Sequence, residues 1–562
     1  MTKNKVEFYY WINNQFGGRK NNQTKWNTLI HNGVLFPNNY IQHNIPLLYN
    51  KKKVKLNIEA EEYATYYAKY LDTEYIKIPR FKKNFWKDWK KLINKSLTIT
   101  EFNKCDFSLI KDYIDKEKEK RSTISKEEKE EIKEKRIQYE KKYTIALIDD
   151  KKQQVGNFRI EPPGIFLGRG CHPKTGMIKK KILPKDITIN ISKDTKIPEI
   201  NLEGKYKWGK IIHDNSVYWL ASWKDEITGK NKYVFPGEQS DFKTKSDIAK
   251  FDLAKLLKKN INEIKKKNNE NLESNDIQLK QLATGLYFID KLALRVGNEK
   301  GEDQADTVGV SSLRIEHISL INDIKYIIKL DFLSKDSIRY TNKFEVSEIV
   351  YKNLLSFMIN KSPKDNLFDS IKADDINKYL QEFIPGLTSK VFRTYNASSL
   401  FQKELNSISK KFENYNDNDK VNILLDEFNK ANAKVALLCN HQKKVSKGFN
   451  SQIDKINQIT KELKKKKKEL ETLKKTTTGD KSKKIKKRIK KIDETLNLLK
   501  SKKIAKIEMK SVSLGTSKVN YIDPRITITF LKKHKLDINK VFTKILQQKF
   551  YWAFNVEDNY QF

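Results

Sequence analysis

The segment over residues 445–510 constrains the fold more than any other part of the chain, because it is rich in lysine yet keeps a helical pattern. Two series of apolar side chains recur there at steps of three, four or seven residues, the spacing of one helix face: Ile453, Ile456, Ile459, Leu463, Leu470 and Leu473, then Ile485, Ile489, Ile492, Leu496 and Leu499. The polar run TTTGD at 476–480 separates the two series. We therefore expect a hairpin of two antiparallel helices, a coiled coil with one narrow apolar seam that is too polar elsewhere to form a core.

The chain has a large excess of positive charge, with 113 Lys+Arg against 71 Asp+Glu and a formal net charge of +42. Such a field favours a polyanionic partner, and nucleic acid fits better than an anionic membrane surface. No apolar run approaches the roughly 18 residues that a transmembrane helix needs. The first residues also lack the apolar core of a secretory signal. We therefore expect a nucleic-acid-binding protein without a membrane segment.

The 562 residues predict several domains, and the aromatic content of 11% argues against overall disorder. Three widely spaced cysteines form neither a disulfide framework nor a CxxC metal pair, which predicts a reduced, intracellular chain. Arginine is scarce, with twelve Arg against 101 Lys. Because only a guanidinium forks onto two phosphate oxygens, the positions that keep arginine draw attention. Among them are Arg169, Arg295, Arg339 and Arg393.

The first half of the chain alternates between helical and strand patterns. Helical apolar spacing covers 54–71 and 81–93, and Ser125 with Glu128 forms a capping-box pattern that opens a charged helix to about residue 142. Between 143 and 240 the runs YTIALIDD and VGNFRI, then SVYWLASW and KYVFP, predict two hairpins. The glycine- and proline-rich run at 161–176 predicts a loop between them.

The second half of the chain is mainly helical. Residues 248–296 predict helices, with Gly297 as the C-cap of the last one. The runs YIIKLDFL and SIRYTNKF predict a hairpin around 334–336, and the pattern is helical again from about 345 through His441. Tyr521 lies in a short polar turn before Asp523-Pro524, a pair that typically opens a helix.

A tyrosine in such a turn gains a function if cations hold a phosphodiester against it. A free tyrosine hydroxyl is a poor nucleophile, but fixed cations stabilise the negative charge that develops on phosphate oxygens during in-line attack. The leaving 5′ oxygen needs a proton donor. Because a phosphotyrosine keeps the energy of the broken bond, the strand can be rejoined without ATP or metal. The chain offers, in order, Arg295, Lys335, Arg393, His441 and Tyr521 as candidates.

Each candidate also has a structural interpretation. Arg295 and His441 follow apolar helical runs, where a cation stabilises the helix C-terminus without any catalytic role. In the same interpretation Lys335 is an ordinary turn lysine, Arg393 pairs with a surface carboxylate, and Tyr521 is one tyrosine among 25. Spacing alone does not bring the five residues together, since 226 positions separate the first from the last.

Six strings around these candidates resemble the active-site segments of the eukaryotic type IB DNA topoisomerases: YFIDKLALRVGNEK, ADTVG, LSKDSIRY, KVFRTYNAS, LCNHQ and LGTSKVNYIDPRIT. The resemblance runs from about residue 25 to the end of the chain. It implies a catalytic pentad in which Arg295, Arg393 and His441 hold the non-bridging oxygens of the scissile phosphate. Lys335 would protonate the 5′ oxygen and reach the minor groove, and Tyr521 would form the 3′-phosphotyrosine. No metal or other cofactor is expected.

Further positions match family residues near the cleavage site. In the family, the residues that correspond to Arg169, Asp336 and Asn520 also surround camptothecin-type inhibitors, so the resemblance implies that such an inhibitor binds the complex with cleaved DNA. The chain departs from the family at Leu167, where an arginine is common, and one phosphate contact is expected to be missing there. The positions that match residues contacting the DNA backbone or groove are Lys232, Tyr233 and Lys250.

The resemblance implies an α+β multidomain fold in the form of a bilobed DNA clamp. After a short polar segment at 1–20, residues 21–240 would form a mixed α/β cap lobe. Residues 241–444 would form a mainly helical catalytic lobe resembling that of tyrosine recombinases. The antiparallel coiled-coil linker would occupy 445–510, and a small helical C-terminal domain with the nucleophilic tyrosine would occupy 511–562.

These expectations describe a monomeric DNA topoisomerase that nicks one strand of double-stranded DNA, permits rotation and reseals it, relaxing supercoils of either sign. Two other functions stay open at this point. A tyrosine recombinase shares the five residue types but keeps its tyrosine closer to the histidine, and a basic DNA-coating protein would need no catalysis. The family is usually nuclear. Because the long charged N-terminal region of cellular members is missing, a viral factory, a virion or an organelle is also open.

Overall fold

The computed structural model describes residues 24–562, apart from 302, 323, 414–419, 444, 446–447 and 477. The segment at 1–20, interpreted above as short and polar, lies outside the described residues. The described chain divides into two compact units. The N-terminal unit comprises the described residues up to Ile248 with Glu299–Val308 and Leu333–Arg339. The C-terminal unit comprises Ala249–Asn298, Gly309–Phe332 and the described residues from Tyr340 onward.

The N-terminal unit contains small sheets built from short strands. Those strands are β1 (Leu29–His31), β2 (Leu47–Tyr49), β3 (Lys52–Val54), β4 (Cys105–Asp106), β5 (Ile145–Ile148), β6 (Lys151–Gln154), β7 (Gly164–Ile165), β8 (Ile178–Lys179), β9 (Ile187–Asn190), β10 (Lys210–Ile212), β11 (Ala221–Lys224) and β12 (Asn231–Val234). They pair in the orders β1-β5-β6, β3-β2-β4, β7-β8 and β10-β9-β11-β12. One apolar cluster buries Ile187, Ile189 and Trp223 from the last of these sheets together with Tyr143 and Val34.

The first predicted hairpin has a different turn from the one expected. Ile148 of β5 lies opposite Lys151 of β6, so Asp149 and Asp150 alone form the turn, with φ values of 49° and 61°. The sequence interpretation placed the second strand on VGNFRI at 155–160, and this was wrong. The actual strand, KKQQ, is an edge strand with mostly exposed side chains, so it shows no apolar alternation. The second hairpin, β11 with β12, is confirmed.

Helices cover the second apolar cluster of the N-terminal unit. They are α1 (Ile58–Ala68), α2 (Pro79–Trp89) and α3 (Ser108–Thr123), whereas the next helix, α4 (Lys126–Glu140), is exposed apart from Glu140. Helix α2 buries Phe81, Phe85 and Trp89, which stand four residues apart and so share one face. The predicted capping box of α4 is confirmed, since Ser125 Oγ accepts from the Glu128 N–H and the Ser125 N–H donates to the Glu128 carboxylate, both at 3.1 Å.

The rest of the described chain is mainly helical, as predicted. The helices are α5 (Asp241–Leu272), α6 (Ile277–Leu292), α7 (Glu348–Met358), α8 (Ala373–Phe383), α9 (Ser389–Lys411), α10 (Lys420–Leu438), α11 (Phe449–Thr476), α12 (Asp480–Glu508), α13 (Leu514–Asn520), α14 (Pro524–Lys533) and α15 (Lys544–Lys549). The strands β13 (Ile318–Asn322), β14 (Tyr326–Ser334) and β15 (Ile338–Glu345) form one sheet, which includes the predicted hairpin. None of the described helices is both long and apolar enough to cross a membrane.

Helix α6 ends earlier than the sequence indicated. Its C-cap is Ala293, in the left-handed region at φ 50°, and Gly297 lies four residues farther along in an irregular segment. The prediction of Gly297 as C-cap was therefore wrong. A glycine is required at this position for another reason, which is a close approach to a second backbone segment. A Cβ on Gly309 would stand 2.4 Å from the Gly297 Cα atom. The two backbones pass so closely that neither position admits a side chain.

The lysine-rich segment forms two long helices, α11 and α12, around a turn at Gly479 with φ 72°. Their apolar seam includes Ile456 and Ile485, which are 8% and 7% exposed. Lys467 Nζ of α11 lies 2.6 Å from a carboxylate oxygen of Asp493 on α12, so a cross-helix ion pair accompanies the seam. The pattern of apolar steps thus predicts both helices, although each extends several residues beyond it.

Candidate active site

Tyr521 lies in the short turn between α13 and α14, as the sequence predicts, although the residues just before it form the helix α13. Its N–H donates to the carbonyl oxygen of Ser517 on α13, at 3.0 Å. Its own carbonyl oxygen accepts from Ser398 Oγ on α9 at 3.1 Å, and the same hydroxyl accepts from the Asp523 N–H at 3.0 Å. Asp523 then caps α14, as predicted. These bonds fix both sides of the tyrosine backbone and leave its side chain 8% exposed.

His441 follows α10 and is buried beside the tyrosine. Its N–H donates to the Ala436 carbonyl oxygen at 2.7 Å, and its carbonyl oxygen accepts from the Ser513 N–H at 2.8 Å. The imidazole stacks on the Tyr521 ring with the centroids 5.2 Å apart, and Nδ1 lies 2.8 Å from Ser517 Oγ. The segments that flank the lysine-rich helices therefore pair directly, and they hold the histidine against the helix that precedes the tyrosine.

Arg393, on the first turns of α9, is 4% exposed. Its Nη1 donates to the Ala293 carbonyl oxygen at 2.7 Å, and its Nη2 donates to that of Cys439 at 2.8 Å. The guanidinium carbon lies 5.0 Å from the centre of the Tyr521 ring. Its Nε is buried and has no hydrogen-bond partner among the described residues. The guanidinium is thus held rigidly by two carbonyls and keeps donor capacity for an anion.

Arg295 joins the same cluster from the irregular segment after α6. Burial and the charge of Arg393 lower the pKa of Arg295, and the proximity of Tyr521 opposes that shift. An arginine remains a cation under such conditions. Its carbonyl oxygen accepts from the Val310 N–H at 2.9 Å, next to the close approach of the two glycines. The tight backbone crossing therefore fixes the segment of backbone from which this side chain extends.

The electrostatics of the cluster keep its histidine neutral. Burial, followed by the charges of Arg393 and Arg295, lowers the pKa of His441 to about 3. The site therefore combines two cations, one neutral imidazole and a phenol, with no carboxylate among these four side chains. Such a group suits a singly charged tetrahedral anion, because guanidinium groups and imidazole N–H all donate to oxygens. The structure brings together Arg295, Arg393, His441 and Tyr521.

The fifth predicted residue, Lys335, belongs to the other unit. It is exposed at the tip between β14 and β15, where Asp336 and Ser337 have φ values of 68° and 58°. Arg169 forms an ion pair with Asp336. The Val308 N–H donates to the Leu333 carbonyl oxygen at 2.8 Å, which ties the tip to its neighbours in the N-terminal unit. A cavity of about 230 Å³ is lined by Arg169, Lys230, Lys300, Lys335 and Asp336, among others.

The remaining predicted DNA-binding residues lie on both units. Lys232 is ion-paired with Glu161 and Asp225 at 2.7 and 2.8 Å, and although burial lowers its pKa, these carboxylates raise it overall. Tyr233 lies on β12, where it is half-buried, and its ring is beside two other aromatic rings. In the C-terminal unit, Lys250 Nζ lies 4.2 Å from the ring centre of Phe251, and the exposed Asn520 donates from Nδ2 to the Thr516 carbonyl oxygen at 3.2 Å.

Leu167 packs against the second apolar cluster of the N-terminal unit. The side chain therefore has a structural partner, which an arginine at this position would satisfy only through its aliphatic stem. The Leu167 carbonyl oxygen accepts from Thr175 Oγ1 at 2.8 Å, so the backbone of this loop is fixed as well. The chain keeps the loop that carries Arg169 while it lacks a charge two residues earlier.

Sequence reasoning missed three residues of the site. Ser398, Ser517 and Cys439 contact the catalytic candidates through a hydroxyl or a carbonyl oxygen. All three are buried, and a small buried polar residue gives no periodic signal of its own. Their positions were nevertheless readable, because each lies within five residues of a candidate, in the strings KVFRTYNAS, LGTSKVNY and LCNHQ.

Comparisons with known families agree with this geometry. Residues 24–236 match the family described as "Eukaryotic DNA topoisomerase I, DNA binding fragment". Residues 239–477 match its "catalytic core", and residues 493–562 match the "C-terminal topoisomerase domain". The three matches follow one another in order and contain every candidate residue of both units.

Curated relatives give the same result. The chain is 44% identical over 550 residues to DNA topoisomerase 1 of Caenorhabditis elegans, with 95% of this chain and 67% of that protein covered. It is 44% identical over 556 residues to DNA topoisomerase 1 alpha of Arabidopsis thaliana, covering 96% and 60%, and 42% identical over 558 residues to the human DNA topoisomerase 1, covering 96% and 72%. The chain thus spans 60% to 72% of these relatives. It belongs to the eukaryotic DNA topoisomerase I family, the type IB topoisomerases.

Proposed function

We propose that this chain relaxes supercoiled double-stranded DNA by transient cleavage of one strand, with Tyr521 as the nucleophile. The tyrosine oxygen bonds to the phosphorus as the bond from phosphorus to the 5′ oxygen breaks. The tyrosine proton leaves to solvent, and the 3′ phosphate stays attached to the enzyme. The free 5′ end then rotates, and its hydroxyl attacks the phosphotyrosine to restore the strand. The cycle consumes neither ATP nor metal.

The observation that carries this proposal is the convergence of two arginines and a neutral histidine on the tyrosine. Arg295 and Arg393 neutralise the non-bridging oxygens of the phosphate, whose charge grows as the phosphorus becomes five-coordinate. His441 adds a hydrogen bond without adding a further charge that must be buried. Since Arg393 is already anchored on two carbonyls, little reorganisation accompanies the reaction.

Lys335 supplies the proton to the leaving 5′ oxygen. A protonated amine is suited to this step, because it donates its proton as the oxygen develops negative charge and takes one back during religation. The lysine stands at an exposed hairpin tip in the N-terminal unit, so it is free to contact DNA. DNA contacts on both units belong to the same proposal, which is the clamp that the family resemblance implies.

Residues outside the proposed catalytic five also contribute to DNA binding. Arg169, Lys232, Tyr233, Lys250, Asp336 and Asn520 contact DNA near the cleaved bond. Contacts of this kind go mainly to phosphates, so binding falls steeply with salt and depends little on sequence. The lysine-rich helices α11 and α12 face the DNA downstream and slow its rotation. The enzyme acts as a monomer in the nucleus, and the cavity beside Arg169 and Asp336 accepts a camptothecin-type inhibitor once DNA is cleaved.

The alternative functions lose their support. Matches to the family's DNA-binding fragment, catalytic core and C-terminal domain favour a topoisomerase over a tyrosine recombinase. A purely DNA-coating protein would not need one buried arginine, one half-buried arginine and a buried histidine against one tyrosine, because burying a charge is unfavourable unless the charge is paired or hydrogen-bonded.

The test is relaxation of a supercoiled plasmid in EDTA without nucleotide. The natural chain should relax it, whereas Tyr521→Phe should bind duplex DNA with similar affinity yet give no relaxation and no covalent adduct. The matched control is Tyr551→Phe, which alters an exposed tyrosine of the same unit and should leave relaxation unchanged. Adduct formation by the Tyr521 variant at the natural rate would refute the proposal.

A further inference from the structure

The serine that precedes Tyr521 by one helical turn contacts the active-site histidine and nothing else polar through its side chain, as far as the described residues go. Ser517 is fully buried, and its Oγ lies 2.8 Å from His441 Nδ1. Its carbonyl oxygen accepts the N–H groups of Tyr521 and Ile522, both at 3.0 Å. One residue therefore links the nucleophile's backbone to the histidine's side chain.

The contact with this hydroxyl bears on which ring nitrogen carries the proton, because a hydroxyl can donate to Nδ1 or accept from it. A neutral imidazole has one N–H and one acceptor nitrogen, and the partner of the first nitrogen fixes the role of the second. Nε2 lies on the side of Arg393, at 3.5 Å from Nη2, which already donates to a carbonyl at 2.8 Å. A contact of 3.5 Å is too long for a strong bond. Nε2 therefore makes no strong bond within the protein and is available toward the site.

The residue type at position 517 matches the chemistry required. To stabilise a phosphate oxygen, His441 must donate from Nε2, so Nδ1 must accept. A hydroxyl can donate to Nδ1 without altering the charge of the ring. A carboxylate in its place would accept from Nδ1, and so would either leave Nε2 of a neutral ring as an acceptor that repels phosphate oxygens or favour a charged ring. Alanine would leave a buried ring nitrogen without a partner.

We propose that Ser517 is a positioning residue that holds the His441 proton on Nε2, directed at the scissile phosphate, and keeps the ring in register with Tyr521. The inference rests on the proposed cleavage reaction and goes beyond it, because it assigns a role to a residue outside the five that act on DNA. The serine itself does not touch the substrate.

The experiment is a double-mutant cycle measured by single-turnover cleavage of a duplex with one cleavage site. Ser517→Ala should slow cleavage by about 10-fold, or about 1.4 kcal/mol, which lies at the upper end of the range for one lost neutral hydrogen bond, while the Kd for DNA stays within about 2-fold. The same change in a His441→Gln background should slow cleavage by less than about 2-fold, since no tautomer is left to set. Ser517→Thr, which keeps the hydroxyl, should recover most of the rate.

The matched control is Ser409→Ala. Ser409 Oγ lies 2.9 Å from His534 Nε2, so this change also removes a serine–histidine contact of the C-terminal unit, and cleavage should stay unchanged in both backgrounds. An equal slowing by Ser517→Ala with and without His441 would overturn the inference and mark the serine as structural. An unchanged rate in the natural background would overturn it as well. Absence of cleavage by the natural chain would instead refute the proposed function.

Discussion

Arg393 and Lys335 present opposite environments for two cations assigned to one reaction. The arginine is 4% exposed in the C-terminal unit, and two backbone carbonyls hold its guanidinium before any DNA is present. The lysine is exposed at a hairpin tip in the N-terminal unit, beside the ion pair of Arg169 and Asp336. In the proposed mechanism, the arginine belongs to a fixed, buried site for the phosphate oxygens, and the lysine is an exposed proton donor.

The contrast follows from the two tasks. Stabilising charge on the phosphate needs donors that do not reorganise, and such donors are most effective where water is excluded. Donating a proton in both directions needs an amine that exchanges readily with its surroundings. In the proposed mechanism, the buried group therefore belongs to the unit that also carries the nucleophile, and the proton donor belongs to the other unit.

The largest expected effect comes from removing the buried guanidinium of Arg393. Arg393→Ala should lower the single-turnover cleavage rate by roughly 100- to 1000-fold, as removal of one pre-organised donor does in other oxyanion sites. Arg393→Lys should keep the charge but recover only part of the rate, because an ammonium cannot serve both carbonyls and the phosphate in the same geometry. DNA affinity and the melting temperature are measured in parallel.

A matched control for the loss of charge is Arg314→Ala, in the same unit, whose guanidinium pairs with Glu316 at 2.7 Å. This variant should cleave at nearly the natural rate. Cleavage by Arg393→Ala within about 10-fold of the natural rate, at equal DNA affinity, would show that the buried guanidinium does not stabilise the transition state.

Sequence alone proposed the members of the site but did not predict their environments. The strings around Arg295, Arg393, His441 and Tyr521 are specific enough to name a family, and the structure brings these four together. Their order along the chain contains no information on burial. The carbonyls that anchor Arg393 belong to Ala293 and Cys439, and no pattern of side chains predicts which backbone oxygens will face a guanidinium.

Local structure shows the same limit. The apolar steps of the lysine-rich segment predicted both long helices, because one-sided burial leaves a strong period. The sequence did not predict the edge strand β6, because neither of its faces is apolar. It did not predict the end of α6 either, because an alanine in the left-handed conformation cannot be recognised from the sequence. The division of the five residues between two units depends on long-range packing, which no local pattern records.

A smaller effect is expected from removing the helices α11 and α12. The Lys443 N–H donates to the Ser511 carbonyl oxygen at 2.7 Å, and the Ser513 N–H donates to that of His441, so the tyrosine segment is docked without them. Deletion of residues 450–505 should therefore leave single-turnover cleavage within about 3-fold of the natural rate. Plasmid relaxation should change its rate or its salt optimum. An unchanged rate and salt optimum would eliminate the braking role.

The smallest effect concerns pH. Because burial and two arginines lower the pKa of His441 from 6.5 to about 3, the imidazole stays neutral in the free enzyme across the usual assay range. The ratio of the cleavage rate constant to the Kd should therefore show no titration step with a pKa near 6.5. From about pH 5.5 to about 7.5, the profiles of the natural chain and of His441→Gln should run parallel.

The same shift has a consequence for stability. Below about pH 6.5 the unfolded chain binds a proton at this histidine and the folded chain does not. The free energy of unfolding therefore decreases as the pH is lowered from about 6.5 to the folded pKa near 3. A fall in activity of the natural chain near pH 6.5 that is absent in His441→Gln would contradict the neutral imidazole.

The most direct test of the division between the two cations is cleavage of a substrate whose bridging 5′ oxygen is replaced by sulfur. A thiolate leaves without protonation, so Lys335→Ala, slow on the ordinary phosphodiester, should recover nearly the full rate on this substrate. Arg393→Ala should stay slow on both substrates, because the charge on the non-bridging oxygens is the same. Equal slowing of the Lys335 variant on both substrates, or rescue of the Arg393 variant by sulfur, would contradict the account.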